Sequence, residues 1–186
     1  AIAHYFKEKN IDTKIRFVNR LDRDTTGLVL VAKNKFAHQF IQDQMKGGHV
    51  RKKYVAIAQG VIEPEFQTID LPIGRKSEED IERVVMKEGK PSVTDCRVVE
   101  RYRGFSLVEL TLKTGRTHQI RVHLKAIGHP LAGDPLYNLD ADSHPIDRQA
   151  LHAESLALVL PRSKRWIALQ ADLPEDMKRL IAEVKI

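Results

Sequence analysis

The sequence predicts an α+β fold, built on a mixed, largely antiparallel sheet with helices on its flanks. Segments with the apolar pattern of strands outnumber segments with helical periodicity. Most neighbouring strand segments are joined by turns rather than by helices, which favours antiparallel pairing over repeated strand–helix–strand units. The chain has 186 residues, a length that suits one domain, and we expect residues 1–186 to form it.

In the first third of the chain, short apolar segments surround one helix. Residues 15–19 and 28–32 indicate short buried strands on either side of the charged stretch NRLDRDTTGL. Residues 34–45 place apolar side chains at helical spacing, and Asn34 is suited to be the N-cap. Residues 52–60 alternate between apolar and polar side chains, which predicts a longer strand.

The rest of the chain predicts more strands and two helices. Residues 66–80 are rich in turn formers, and the charged residues 75–90 indicate an exposed loop. Two strand segments flank Arg103–Gly104 and predict a hairpin. Helical spacing predicts one helix over residues 117–128 and a last amphipathic helix over residues 174–186, with a proline at its start. Between these helices, AESLALVLP and WIALQADLP predict two further strands.

Charge and cysteine content narrow the classes of function. The chain has 31 Lys and Arg residues against 25 Asp and Glu residues, so its formal net charge is +6. A basic surplus favours polyanionic partners such as nucleic acid. The single cysteine, Cys96, excludes an intrachain disulfide and a zinc site built on several thiolates, and it fits a reducing, cytoplasmic setting. No apolar run approaches the roughly 20 residues that cross a bilayer, so we expect no membrane partner.

The stretch NRLDRDTTGL (residues 19–28) places carboxylates next to an apparent strand, and several interpretations compete for Asp22. Because Asp, Thr and Gly are turn residues, a structural turn is one of them. An EF-hand calcium loop is excluded, since Lys33 replaces its last acidic ligand and an apolar run precedes it. D-x-D-x-T also resembles a phosphotransferase of the haloacid dehalogenase type, with magnesium at Asp22 and Asp24. Polar residues interrupt the strand that this motif should follow, and no later acidic pair suits the metal.

The segment LKTGRTHQIRVHLKAIGHPLAGDPLYN (residues 112–138) is the densest run of unusual residues. Its three histidines are five and six residues apart, a spacing that puts no two of them on one helical face, so we exclude a metal site. Arg116, Arg121 and several polar side chains remain near the start of a helix, where anions bind readily. An amphipathic helix with a basic outer face, followed by a Gly/Pro loop, is the structural alternative.

These two segments together resemble the hallmark motifs of RNA pseudouridine synthases of the RluA/RluD type. RKKYVAIAQG resembles the middle motif of that family and LHAESLALVLP its last, so ordered matches extend over residues 16–160. Asn19 departs from the family's usual His, and Thr26 from its usual Ser. The family's opening strand, and the small S4 domain of some members, have no counterpart in the sequence. We therefore expect a pseudouridine synthase catalytic domain that is incomplete at its N-terminus.

The resemblance implies the pseudouridine synthase catalytic fold and an enzyme that isomerises specific uridines to pseudouridine in structured RNA, with no cofactor and no metal. It implies that Asp22 is the essential carboxylate, paired directly with Arg121. It implies that Tyr54 stacks on the uracil and can help to remove the C5 proton, with Leu151 as an apolar wall beneath the base. Arg20 would fill the stack that the flipped-out uridine leaves.

The resemblance also implies RNA contacts at Thr26, Arg116, His118 and Gln119. Further basic residues are candidate phosphate contacts, namely Lys52, Lys53 and Arg75. We expect ribosomal RNA rather than transfer RNA as the partner, and a monomer in the cytoplasm. Two other classes of function stay open, a phosphatase-like hydrolase and an RNA-binding module without catalysis.

Overall fold

The computed structural model of the protein describes residues 1–141 and 145–185. Along this part of the chain, the helices and strands are α1 (Ile2–Glu8), β1 (Arg16–Phe17), β2 (Thr26–Gly27), β3 (Val31–Ala32), α2 (Lys35–Lys46), β4 (Arg51–Gln59), β5 (Phe66–Asp70), β6 (Ile73–Gly74), β7 (Val84–Val85), β8 (Val93–Tyr102), β9 (Phe105–Leu112), α3 (Gln119–Ala126), β10 (Leu151–Val159), β11 (Trp166–Gln170) and α4 (Glu175–Val184).

A central sheet of seven strands carries the other elements. Six strands lie in the order β11-β10-β4-β9-β8-β5, and each neighbouring pair is antiparallel. Strand β2 adds to β10 in the parallel direction. The predicted α+β class, with a mixed and largely antiparallel sheet and flanking helices, is confirmed. The long pairs β4–β9 and β8–β9 make the centre of the sheet its most continuous part.

Helices cover both faces of this sheet, so its central strands are buried on two sides. Successive strand residues point to opposite faces. Accordingly, Ala56 of β4 packs in a cluster with Leu124 of α3, while its neighbour Ile57 packs in another with Leu180 of α4. All four side chains are fully buried. Each of the larger ones contributes about 1.5–3 kcal/mol of transfer free energy on burial. The predicted alternation in residues 52–60 therefore becomes a strand with apolar contacts on both faces.

The remaining helix and hairpin predictions are confirmed with small shifts at their ends. Asn34 caps α2, because its Oδ1 atom accepts a hydrogen bond from the Ala37 N–H at 2.8 Å. The β8–β9 hairpin turns at Arg103–Gly104, where Gly104 has a φ of +76°. Helix α3 begins at Gln119, two residues later than predicted, because His118 adopts a left-handed conformation.

The two short strands predicted beside the charged stretch are wrong in extent. Only β1 and β3 form there, with two residues each, and Val29 is 42% exposed. The cause is the side chain of Asn19, which donates to the Leu28 carbonyl at 3.2 Å and accepts from the Leu30 N–H at 2.7 Å. An amide group thus satisfies backbone groups that would otherwise enter a strand ladder.

Three further segments differ from the prediction. Residues 66–80, expected to be turns, contain β5, which completes the sheet through pairing with β8. The loop expected at residues 75–90 contains β7, which pairs with β6. Helix α1 forms near the N-terminus, where no element was predicted. No helix in the described part of the chain has the length and apolar character to span a bilayer.

Candidate active site

A pocket of about 250 Å³ opens where the charged stretch meets α2, β4 and the segment before α3. Asp22 and Arg20 enter from the charged stretch, Tyr54 from β4 and Leu151 from β10. Side chains that lie far apart in the sequence therefore meet around one cavity. Six of the nine site residues expected from the sequence line it, namely Arg20, Asp22, Tyr54, Arg116, Gln119 and Leu151.

A tight turn after Asp22 sets the direction of the charged stretch. The Thr25 N–H donates to the Asp22 carbonyl at 3.1 Å, and Gly27 then pairs with Ala153 of β10. Gly27 has a φ of +112°, and a Cβ atom there would collide with the Ala153 backbone. Only glycine permits both this conformation and this close approach. The run of Asp, Thr and Gly thus serves the turn and the pocket together.

Buried polar side chains hold the same loop from the other side. Gln149, which is buried, donates to the Arg23 carbonyl at 2.5 Å and to the Thr25 hydroxyl at 3.1 Å. The Thr26 hydroxyl is 2.8 Å from Nδ1 of His152 on β10. Thr26 is not among the residues that line the pocket. Its hydrogen bond fastens the loop to the sheet, so the expected RNA contact at Thr26 has no support in the pocket geometry.

The carboxylate of Asp22 is half-buried at the pocket. Among the described residues, it forms no hydrogen bond and no ion pair with a protein group. Its charge nevertheless acts on three neighbours, since it helps to raise the pKa of Tyr54 and of Arg121 and opposes the fall in the pKa of His118. Asp22 therefore presents free carboxylate oxygens to whatever occupies the pocket.

Tyr54 presents a neutral phenol to the pocket at neutral pH. Burial, with a smaller contribution from the charge of Asp22, raises the pKa of Tyr54 to about 12. At pH 7 only about one phenol in 10⁵ is ionised. The ring packs against the buried cluster that contains Leu151. The pair thus provides an aromatic and an aliphatic surface, while a phenolate base is disfavoured.

The expected direct pair between Arg121 and Asp22 is wrong. The guanidinium of Arg121 instead forms a bidentate ion pair with Asp134, from Nε to Oδ2 at 2.7 Å and from Nη2 to Oδ1 at 2.6 Å. Both side chains are buried. Burial alone would lower the pKa of Arg121, but hydrogen bonds and charge from Asp134, with the charge of Asp22, outweigh it and raise that pKa. Asp134 lies in a tight turn next to α3, which the sequence alone did not connect with Arg121.

His118 and Gln119, expected to contact RNA, are engaged by the protein itself. The buried amide of Gln119 accepts from the Thr114 hydroxyl and the Arg116 N–H, and it donates to β8. It therefore shapes the loop before α3. His118 lies outside the pocket lining, and its Nδ1 atom is 2.7 Å from the Tyr137 hydroxyl. Burial is the main cause that lowers the pKa of His118, so its imidazole is neutral at pH 7.

Cations surround the mouth of the pocket. Arg20 and Arg116 are exposed, and Arg116 uses its Nε atom to donate to the Pro91 carbonyl at 3.1 Å. Lys52 also lines the pocket, and burial lowers its pKa. Lys53, by contrast, forms an ion pair with Glu109 at 2.9 Å. The positive charge that a polyanion could meet is thus concentrated at the pocket entrance.

A metal site at the charged stretch receives no support. Asp24 has a φ of +66° and forms an ion pair with Arg23 at 3.1 Å. Within residues 1–141 and 145–185, no group of three His, Cys, Asp or Glu side chains is placed to hold a metal ion. Sequence reasoning missed Asp134, Tyr137 and Gln149. The first two belong to the motif GDPLY, whose acid was a visible signal, whereas Gln149 lies in a stretch without any pattern.

Comparison with known proteins agrees with this geometry. The family model described as RNA pseudouridylate synthase matches residues 3–126, a range that contains Arg20, Asp22, Tyr54 and Arg121. An RNA pseudouridine synthase of Bacillus subtilis (strain 168), named YlyB and described as uncharacterized, is 45% identical over 168 residues, 90% of this chain and 55% of that protein. Ribosomal large subunit pseudouridine synthase D of Nitrosomonas europaea is 41% identical over 175 residues, 90% of this chain and 51% of that protein.

The chain spans little more than half the length of these curated relatives. Among solved structures, human RNA pseudouridylate synthase domain containing 1 is 28% identical with a TM-score of 0.77, and the match covers 99% of this chain and 84% of that one. Human RNA pseudouridylate synthase domain containing 4 is 26% identical with a TM-score of 0.77 over 91% of this chain and 76% of that one. The similarity thus extends over the whole central sheet.

Proposed function

Because the chain belongs to the RNA pseudouridylate synthase family, we propose that it isomerises uridine to pseudouridine in structured RNA, with Asp22 as the essential carboxylate. In this reaction the bond between uracil N1 and ribose C1′ breaks, and a bond between C5 and C1′ forms. C5 loses its proton and N1 gains one, so atoms and electrons balance without a second substrate. Asp22 serves as the nucleophile or as the base in this sequence.

The free carboxylate of Asp22 is the observation that carries the proposal. It lies at a pocket of about 250 Å³ and has no protein partner among the described residues. Tyr54 and Leu151 border the same space. We assign Tyr54 to stacking on the uracil, a contact worth about 1–3 kcal/mol. Leu151 then forms the apolar wall beneath the base.

A uridine within an RNA stem reaches this pocket only after it leaves the stack, which costs a few kcal/mol. Arg20 is exposed at the pocket and is suited to occupy the vacated space. Its guanidinium is planar and stacks on bases. Arg116 and Lys52 then meet the phosphates beside the flipped nucleotide.

The most specific part of the proposal concerns the RNA. Several relatives carry the name ribosomal large subunit pseudouridine synthase D, so we propose ribosomal RNA as the substrate in preference to transfer RNA. We further propose that residues 1–186 form one catalytic domain that works as a monomer in the cytoplasm, without a cofactor.

Pseudouridine mapping tests both the reaction and the substrate. Ribosomal and transfer RNA are isolated from cells with and without the gene, and pseudouridines are located by chemical labelling and sequencing. We expect at least one ribosomal site to disappear and to return with the wild-type gene but not with Asp22→Asn. Loss of a transfer RNA site alone would transfer the proposal to that substrate, and unchanged maps of all RNAs would refute it.

A further inference from the structure

The turn of residues 134–137 holds the two basic side chains that face Asp22. Asp134 grips Arg121 through two hydrogen bonds and is itself fixed, since its Oδ1 atom accepts from the N–H groups of Leu136 and Tyr137 at 3.0 and 3.1 Å. The Asp134 side chain is wholly buried. A carboxylate with this many donors has one orientation, and the guanidinium inherits it.

Tyr137 extends the same arrangement. Its ring lies 4.8 Å from Cζ of Arg121, so the guanidinium has an aromatic face beside its ion pair. The Tyr137 hydroxyl accepts from the Arg83 N–H at 2.8 Å and contacts His118 Nδ1. One rigid turn therefore determines where both Arg121 and His118 lie relative to Asp22.

We propose that Asp134 is a positioning residue of the isomerase, which acts by serving as the counter-ion of Arg121 so that Asp22 keeps its oxygens free. This inference rests on the proposed function. A buried guanidinium requires a carboxylate partner. Two carboxylates, Asp22 and Asp134, act on Arg121, and only Asp134 touches it. Without Asp134, Arg121 would turn to Asp22 and occupy the oxygens that the substrate needs.

The primary test is a double-mutant cycle on Asp134→Asn and Arg121→Gln, measured as tritium release from RNA labelled at uridine C5. Asn keeps the size of the side chain and an oxygen for the turn. We expect Asp134→Asn to lower kcat about 100-fold, the size of effect that a 1 Å misplacement produces, with KM changed less than about threefold. Because Asp134 acts through Arg121, the double variant should have the kcat of Arg121→Gln alone.

Asp176→Asn is the matched control. Asp176 forms a bidentate ion pair with Arg148, at 2.7 and 2.9 Å, and neither residue lines the pocket. Its loss should lower the melting temperature and leave kcat within about twofold of wild type. A similar fall in kcat for both Asn variants would assign Asp134 to fold stability and overturn the inference.

The cycle stays informative if Asp134→Asn alone does not fold. The double variant holds no unpaired buried charge, so it should fold better than that single variant. A kcat for the double variant well below that of Arg121→Gln would mean that Asp134 acts independently, and the inference would fail. The proposed function is judged separately, on whether the wild-type protein releases tritium at all.

Discussion

At the scale of single residues, Asp22 differs from the other buried or half-buried acids because its carboxylate has no protein partner among the described residues. Asp134 and Asp176, by comparison, each hold an arginine in two hydrogen bonds. Desolvated carboxylates are stabilised by such partners. An acid left without one at a pocket is therefore suited to act on a bound substrate.

Tyr54 gives a prediction on pH. Its pKa of about 12 lies above the usual value of 10, because burial and the charge of Asp22 disfavour the phenolate. The phenol thus stays protonated as pH rises to about 10, and it ionises only beyond that. We expect the ratio of rates between wild type and Tyr54→Phe to be constant from pH 6 to 9. A ratio that changes tenfold per pH unit in this range would show that the phenolate takes part.

Arg20 separates function from folding. Since Arg20 is exposed, Arg20→Ala should change the free energy of unfolding by at most about 1 kcal/mol. If Arg20 stabilises the flipped-out state, activity should fall sharply on a stem-loop and much less on a flexible single strand, where the uridine is already unstacked. The measurement is the mutant-to-wild-type rate ratio on both substrates, with the melting temperature beside it. Equal ratios would exclude this role.

At the scale of elements, the loop of residues 19–28 is fixed by features that give no periodic signal. Helix α2 and the β8–β9 hairpin follow from spacing, caps and turn residues, which act locally and are visible in the sequence. The loop depends on Asn19, Gln149 and the contact of Gly27 with β10, which join distant segments. Sequence motifs therefore indicated Asp22, Tyr54 and Leu151 at the pocket but could not show that Arg121 is held by Asp134.

Gly27 and Gly104 test this account of the loop. Both have positive φ, +112° and +76°, but a Cβ atom at Gly27 would strike the Ala153 backbone, whereas nothing lies within 4 Å of one at Gly104. We expect Gly104→Ala to cost about 1 kcal/mol of unfolding free energy and Gly27→Ala about 2–4 kcal/mol. Urea unfolding measures both. Equal costs would mean that the approach of the loop to β10 is not tight.

At the scale of the whole molecule, the sheet brings together residues from opposite ends of the chain, and the basic surplus directs RNA to them. Asp22 precedes β2, Tyr54 lies on β4 and Leu151 begins β10, and these three strands are neighbours in one sheet. A net charge of +6 favours association with phosphates at any sequence. Charge thus supplies affinity, while the pocket supplies the chemistry.

Asp22→Asn separates these two contributions and tests the central claim most directly. Tritium release from RNA labelled at uridine C5 reports the isomerisation, and a gel-shift assay on the same RNA reports binding. Because Asn is nearly isosteric but cannot ionise, we expect no release above background, an RNA affinity within about threefold of wild type, and an unchanged melting temperature. Substantial tritium release by the purified Asp22→Asn protein would contradict the account, since the free carboxylate would then not be the group that carries the reaction.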